Sequence, residues 1–211
     1  MERAELAQAL GATAGAQEAR NIFISESEPG RFMAAFAQAA ANGGNVFLCD
    51  PLWGPNEREE LAVRTGNQIL AEAQRAQSEK SEILNLKSEI AGVPARGWLM
   101  IASGGTSGRL KFARHDQDTL RAAVDGFSAH FNVSRVNAVG VLPLHHVSGL
   151  MAWMRCALTG GMFLPTSWSE IEAGRRPAMG DGGEWFLSLV PTQLQRLLAQ
   201  PETIGWLRRF R

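Results

Sequence analysis

The sequence predicts an α/β fold, a mainly parallel sheet flanked by helices, and two observations carry that prediction. Short apolar runs bounded by turn-forming residues read as buried strands: NVFLCD, GWLMIAS, AVGVLPL, MFLP and EWFLSLV. Between them lie longer segments whose apolar residues recur every three or four positions, and two of these segments close on Gly-Gly pairs. Strands alternating with helices imply parallel pairing through helical crossovers.

Taken in order, GRFMAAFAQAAANGG from Gly30 is a helix, with Phe32, Ala35, Phe36 and Ala39 on one face and Gly43-Gly44 as its stop. NVFLCD ends in Asp50-Pro51, as a buried strand running into a loop does. PNEREELAVRTGNQILAEAQRAQ begins with Pro55 and acidic residues in its first turn, and Leu61, Ile69 and Leu70 form its apolar stripe. Residues 78–95 are polar and ambiguous. GWLMIAS is the second strand. QDTLRAAVDGFSAHFNV is a helix burying Leu120, Val124, Phe127 and Phe131. AVGVLPL is the third strand, and GLMAWMRCALTGG is a buried helix ended by Gly160-Gly161. MFLP, the loop EAGRRPAMGDGG, the strand EWFLSLV and the helix PTQLQRLLAQ opened by Pro191 complete the chain.

The 211 residues suffice for one sizeable domain, and 45% hydrophobic content rules out wholesale disorder. Twenty-one basic residues balance twenty-one acidic ones, so no overall field directs the chain to nucleic acid or an anionic membrane. The start MERAELAQALGATAG lacks the pattern of a signal peptide, and no apolar run approaches the roughly 20 residues that span a bilayer. Cys49 and Cys156 lie in apolar surroundings and suit buried thiols of a reducing, cytoplasmic compartment.

The chemistry concentrates in SGGTSGRLK, residues 103–111, directly after the apolar run GWLMIA. It is not a Walker loop, because Lys111 lies between Leu110 and Phe112; nor does it have G-x-G-x-x-G spacing. There is no G-x-S-x-G elbow around Ser103 or Ser148, which counts against a serine hydrolase. Glycines at 104, 105 and 108 let successive N–H groups converge on one anion. Ser103, Thr106 and Ser107 add hydroxyl donors, and Lys111 adds a full positive charge. On composition alone, a phosphate cradle and an ordinary surface turn stand level.

MIASGGTSGRLK resembles the phosphate-binding signature of the adenylate-forming enzymes, the superfamily of acyl-CoA synthetases and AMP-binding ligases. Met100 through Lys111 follows it position by position, with Leu110 where proline is commoner. LPLHHVSGLMAWMRCALTGGMFLP, residues 142–165, resembles the next block of that superfamily. There His146 matches a histidine beside the acyl and nucleotide pockets, and His145 stands where an aromatic residue is usual. PLHHVSGL and SLVPTQLQRLL look most like the o-succinylbenzoate–CoA ligases of menaquinone biosynthesis. The resemblance covers roughly residues 95–211.

The resemblance implies an ATP-dependent acid–CoA ligase with ATP, Mg²⁺, CoA and a small carboxylic acid as its partners. Ser103, Gly104, Gly105, Thr106, Ser107, Gly108 and Lys111 would bind the phosphates. His146 would be the catalytic-side histidine, and His146, Ser148, Gly149 and Thr192 would line the acid pocket. The family's aromatic-Gly-x-Thr-Glu block, ribose-binding Asp and lid lysine have no counterpart in residues 1–211. The whole chain therefore reads as the N-terminal subdomain of such an enzyme, inactive by itself, and Lys111 cannot stand for the lid lysine. A non-catalytic nucleotide- or phosphate-binding module is the alternative, as is an aryl or fatty acid–CoA ligase. A homo-oligomer is left open.

No metal ligand set is assigned: His145 and His146, adjacent on a strand, would point to opposite faces, with no third ligand near. Substrate contact by His146 competes there with a polar pair capping a strand end. His115 and His130 read as exposed helix residues. Trp98, Trp153, Trp168 and Trp185 read as core anchors rather than stacking platforms for nucleic acid. Arg175 and Arg176 read as solvated loop charges, and Thr192 as a helix cap or a pocket residue.

Overall fold

The computed structural model describes residues 21–66, 97–103, 109–180 and 183–211. It shows the α/β architecture, with the strands divided between two sheets rather than gathered in one. The first sheet contains β1 (Asn21–Ile24), β2 (Asn45–Leu48), β3 (Leu99–Ser103) and β4 (Lys111–His115), in that spatial order. The β1, β2 and β3 strands run parallel, with Leu48 opposite both Ile24 and Ile101, and β4 closes the edge antiparallel to β3. The second sheet is parallel throughout: β5 (Asn137–Gly140) lies between β6 (Phe163–Pro165) and β7 (Trp185–Leu187).

Two of these strands escape the sequence pattern. Asn21–Ile24 is only four residues long and follows a polar stretch. Lys111–His115 alternates, but around charged residues, so it lacks the apolar run of a buried strand. It is held by its ladder to β3 and by the ring of Phe112, which meets Phe47 and Trp53 edge-on with centroids 5.3 and 6.3 Å away.

The helices follow the periodicity closely. Helix α1 (Pro29–Asn42) starts where Glu28 accepts the Gly30 and Arg31 amides at 2.8 and 2.7 Å, and it buries Phe32, Phe36, Ala39 and Ala40. Helix α2 (Pro55–Thr65) is shorter than its sequence pattern, because Gly66 adopts φ 63° and closes it; Ile69 and Leu70 lie outside the described residues. Helix α3 (Gln117–Phe131) is capped by a reciprocal Asp116–Thr119 pair and buries Leu120 and Val124, with Phe127 and Phe131 half-buried.

Helix α4 (Val147–Thr159) holds the two sheets together. Gly149 to Met154 are all buried, which no amphipathic surface helix would show. Leu150, Met151, Trp153 and Met154 join the core of the first sheet, where Trp153 meets Phe32 and Phe36 edge-on. Cys156 joins Val136, Ala138 and Phe186 in the core of the second. Three short helices finish the fold: α5 (Trp168–Glu172), α6 (Pro191–Leu198) and α7 (Pro201–Leu207), of which α5 and α7 fall in stretches without a visible helical period. Their cluster centres on Val139, Ile171, Trp185 and Leu197. Among the described residues, no helix is long and apolar enough to cross a membrane.

Candidate functional site

The β3–β4 hairpin fixes both ends of the glycine-rich stretch. Ser103 and Lys111 are directly paired across the ladder, and the Ser103 hydroxyl donates to the Lys111 carbonyl at 3.3 Å. Gly104, Gly105, Thr106, Ser107 and Gly108 lie outside the described residues. The far end of the stretch is tethered by a residue with no local signal for the role: the Leu110 N–H donates to Glu60 Oε2 at 2.9 Å. The other carboxylate oxygen of Glu60 accepts from Arg64, one turn along α2, at 2.8 Å. Lys111 is exposed and forms no ion pair among the described residues, so its ammonium is available to an anion.

A second group of residues gathers where β2 and β5 end. Asp50 lies two residues past Leu48, and Ser103 two residues past Ile101, its register partner, so both leave the first sheet at the same end. His145 comes to the same place from the segment between β5 and α4, putting its Nε2 3.6 Å from Asp50 Oδ1. That carboxylate oxygen also accepts the Leu52 N–H at 2.8 Å, which fixes its orientation. Burial holds the His145 imidazole below its usual 6.5, and the neighbouring His146 adds to the effect; Asp50 opposes both.

The expectation that His145 and His146 face opposite ways does not hold. They lie in a turn rather than on a strand, and their ring centroids are 4.4 Å apart. Nor is a third titratable group distant, since a carboxylate oxygen of Asp50 lies within 4.8 Å of a ring nitrogen of each histidine. His146 occupies the N-cap position of α4 with no side-chain capping bond, so its imidazole is not used as a cap.

Gly149 follows from the same turn. It is buried, and a Cβ there would lie 2.2 Å from the Pro143 carbonyl oxygen and 2.5 Å from that of Leu142. Its lack of a side chain lets α4 approach the segment that carries the histidines. Ser148, beside it in the first turn, is exposed.

The remaining candidates separate. Thr192 is exposed in the first turn of α6, and the cap there is Gln193, whose Oε1 accepts the Val190 N–H at 3.1 Å. Arg175 is an exposed partner of Glu170 at 3.5 Å. Arg176 is not a solvated charge: it donates to the Ile171 carbonyl and, at 3.0 Å, to the buried Thr203 hydroxyl, and it stacks 4.7 Å over Trp206. His115 belongs to β4 and is half-buried, whereas His130 is exposed on α3. Trp98, Trp153 and Trp185 are buried core residues, and Trp168 is partly buried against the second sheet's cluster. Burial raises both Cys49 and Cys156 to about 12, so neither thiol is a ready nucleophile.

No protein-family model matches the chain, and no curated protein does. Solved structures do. ATP-bound MatB from Rhodopseudomonas palustris is similar with a TM-score of 0.62 and 16% identity, over 96% of this chain and 46% of that one. The o-succinylbenzoate CoA synthetase (MenE) from Bacillus subtilis, in complex with the acyl-adenylate intermediate OSB-AMP, gives 0.58 and 14%, over 95% and 58%. The inhibitor-bound N-terminal domain of FACL13 from Mycobacterium tuberculosis gives 0.62 and 16%, over 96% and 58%. The chain thus spans about half the length of the solved chains it matches. At these identities the likeness is one of fold: this chain has the fold of the N-terminal part of adenylate-forming enzymes.

Proposed function

We propose that this chain is the N-terminal subdomain of an adenylate-forming acid–CoA ligase. The observation that carries the reading is the β3–β4 hairpin. On a fold shared with ATP-bound and acyl-adenylate-bound enzymes, it holds Ser103 and Lys111 at the two ends of a glycine- and hydroxyl-rich stretch. An anion-binding stretch needs fixed ends, converging N–H groups and a cation, and the pairing of Ser103 with Lys111 and the exposure of Lys111 support that reading.

In the reaction, a carboxylate oxygen attacks the α-phosphorus of ATP. A new P–O bond forms, the bond between the α-phosphorus and the bridging oxygen to the β-phosphorus breaks, and pyrophosphate leaves. The CoA thiolate then adds to the carbonyl carbon of the acyl-adenylate and expels AMP. Crowding of negative charge opposes the first step. The amides of Gly104 to Gly108 and the Lys111 ammonium offset it, with Mg²⁺ arriving as part of the nucleotide substrate. Ser103, Thr106 and Ser107 orient the departing phosphates. His146 and Ser148 bound the acid, with Thr192 further along its pocket, while Gly149 acts by letting α4 approach the histidine-bearing turn.

For the acid, o-succinylbenzoate comes first, on the strength of PLHHVSGL and SLVPTQLQRLL. Aryl and fatty acids come second, because the resembling ligases for those acids share much of the same two segments. Phosphorus NMR of tripolyphosphate and of ATP titrated into this chain tests the phosphate assignment. Saturable broadening is expected, with affinity reduced about tenfold by Lys111→Ala, the loss of one charge-assisted contact. Broadening indifferent to Lys111→Ala would remove the hairpin from the phosphate site.

A further inference from the structure

We propose that Asp50, His145 and His146 form a three-ligand site for a divalent ion of the Zn²⁺ type. The inference goes beyond the ligase reading and does not depend on it.

The ligand atoms of the three residues all lie within 4.8 Å of one another. Bonds of about 2.0–2.2 Å at tetrahedral angles set ligand atoms about 3.4 Å apart. One pair, His145 Nε2 and Asp50 Oδ1, is already at 3.6 Å. Rotation of the exposed His146 ring about its side-chain bonds supplies the remaining adjustment without moving the backbone.

The surroundings suit ligation. The Leu52 N–H holds the Asp50 carboxylate in place, as outer-shell donors do around bound metals. The turn of His145-His146 is pinned between β5 and α4, and the His146 amide donates back to the Pro143 carbonyl at 3.1 Å. His145 is nearly buried and Asp50 partly so, whereas His146 is open to solvent, giving an ion a way in.

Two imidazoles with one carboxylate favour a borderline ion of the Zn²⁺ type over Mg²⁺ and Ca²⁺, which take oxygen ligands almost exclusively. Three protein ligands leave at least one position for water or for a carboxylate oxygen of a small acid. The site lies at the end of β2, beside the end of β3 that leads into the glycine-rich stretch.

Metal-stripped protein titrated with ZnCl₂ in a calorimeter, and with Co²⁺ followed by its visible absorption, tests the proposal. One equivalent should bind per chain, with cobalt bands of the tetrahedral type and no competition from a large excess of Mg²⁺. His146→Ala and Asp50→Asn should each weaken binding by at least about 100-fold, more than loss of an outer-shell partner. His130→Ala, on the exposed face of α3, should leave binding unchanged. His146 is exposed, so its variant should keep the wild-type circular dichroism, separating loss of a ligand from loss of fold. No saturable binding, equal binding by His146→Ala, or displacement by Mg²⁺ at comparable concentration would each overturn the proposal.

Discussion

Replacing Gly149 with alanine should destabilise this protein, whereas the same replacement at Gly126 should stabilise it, although both positions are inside helices. A methyl at Gly149 would lie 2.2 Å from the Pro143 oxygen, 2.5 Å from the Leu142 oxygen and 2.6 Å from the Pro143 carbonyl carbon. All three are backbone atoms that cannot rotate aside, and the first is about 1.2 Å short of the 3.4 Å at which ordinary contact begins. Helix α4 must therefore retreat, or the turn carrying the histidines must. Overpacking of this kind costs about 1–3 kcal/mol and lies at the upper end when the obstacle is backbone. The helical preference for alanine returns about 1 kcal/mol.

The net expectation for Gly149→Ala is a loss of about 2 kcal/mol, or about 4–8 °C in Tm for a chain of this size. Gly126 has nothing within 4 Å of its would-be Cβ. There alanine should gain about 0.5–1 kcal/mol, raising Tm by about 2 °C. Thermal and urea unfolding of the two variants beside wild type measures both signs. A Gly149→Ala variant as stable as Gly126→Ala would refute the account of how α4 meets the histidine turn.

Other consequences follow from single contacts. Glu60→Ala removes the acceptor of the Leu110 amide, and that amide should exchange with solvent about tenfold faster, with Glu60→Gln recovering most of the protection because an oxygen remains; hydrogen-exchange mass spectrometry reads this directly. Above pH 9 the unfolded chain gives up thiol protons that the folded chain retains until about pH 12, so stability should fall by about 1.4 kcal/mol per buried cysteine at pH 10, and Cys156→Ala should flatten that slope. At the acid end the sign comes from His145. Its folded pKa lies below 6.5, so as pH drops through 6.5 the unfolded chain takes up a proton first and stability declines; His145→Gln should lessen that decline in urea titrations between pH 7 and 5.

The sequence shows the helices and the parallel strands clearly because burial imposes a period on them: Phe32 and Phe36 in α1, Leu120 and Val124 in α3, and the unbroken apolar run of β3. What it hides depends on partners distant in the chain. Strand β4 is held by its ladder to β3 and by Phe112 against Phe47 and Trp53, none of which leaves a pattern in KFARH. The division into two sheets is equally invisible, since α4 reads as one buried helix whether it packs on one sheet or two. Arg176 looks like a loop charge until Thr203 and Trp206, about thirty residues later, come beside it. Asp50 is separated from His145 by ninety-five positions, and they meet only because the turn after β5 of the second sheet comes against the end of β2 in the first. The nearest local signal was Asp50-Pro51 at a strand end, which marks a loop and says nothing of its neighbours.

The central claim, that the β3–β4 hairpin serves adenylation, is tested most directly by carboxylate-dependent exchange of radiolabelled pyrophosphate into ATP, using the complete gene product that carries this chain. The account predicts exchange with at least one member of a panel containing o-succinylbenzoate, aryl acids and fatty acids. It also predicts that Lys111→Ala and Gly105→Val suppress exchange by at least about 100-fold, comparable to the loss of one preorganised transition-state donor, while acid binding changes little. Exchange and acid binding falling together by the same factor, or exchange surviving in Lys111→Ala, would contradict it.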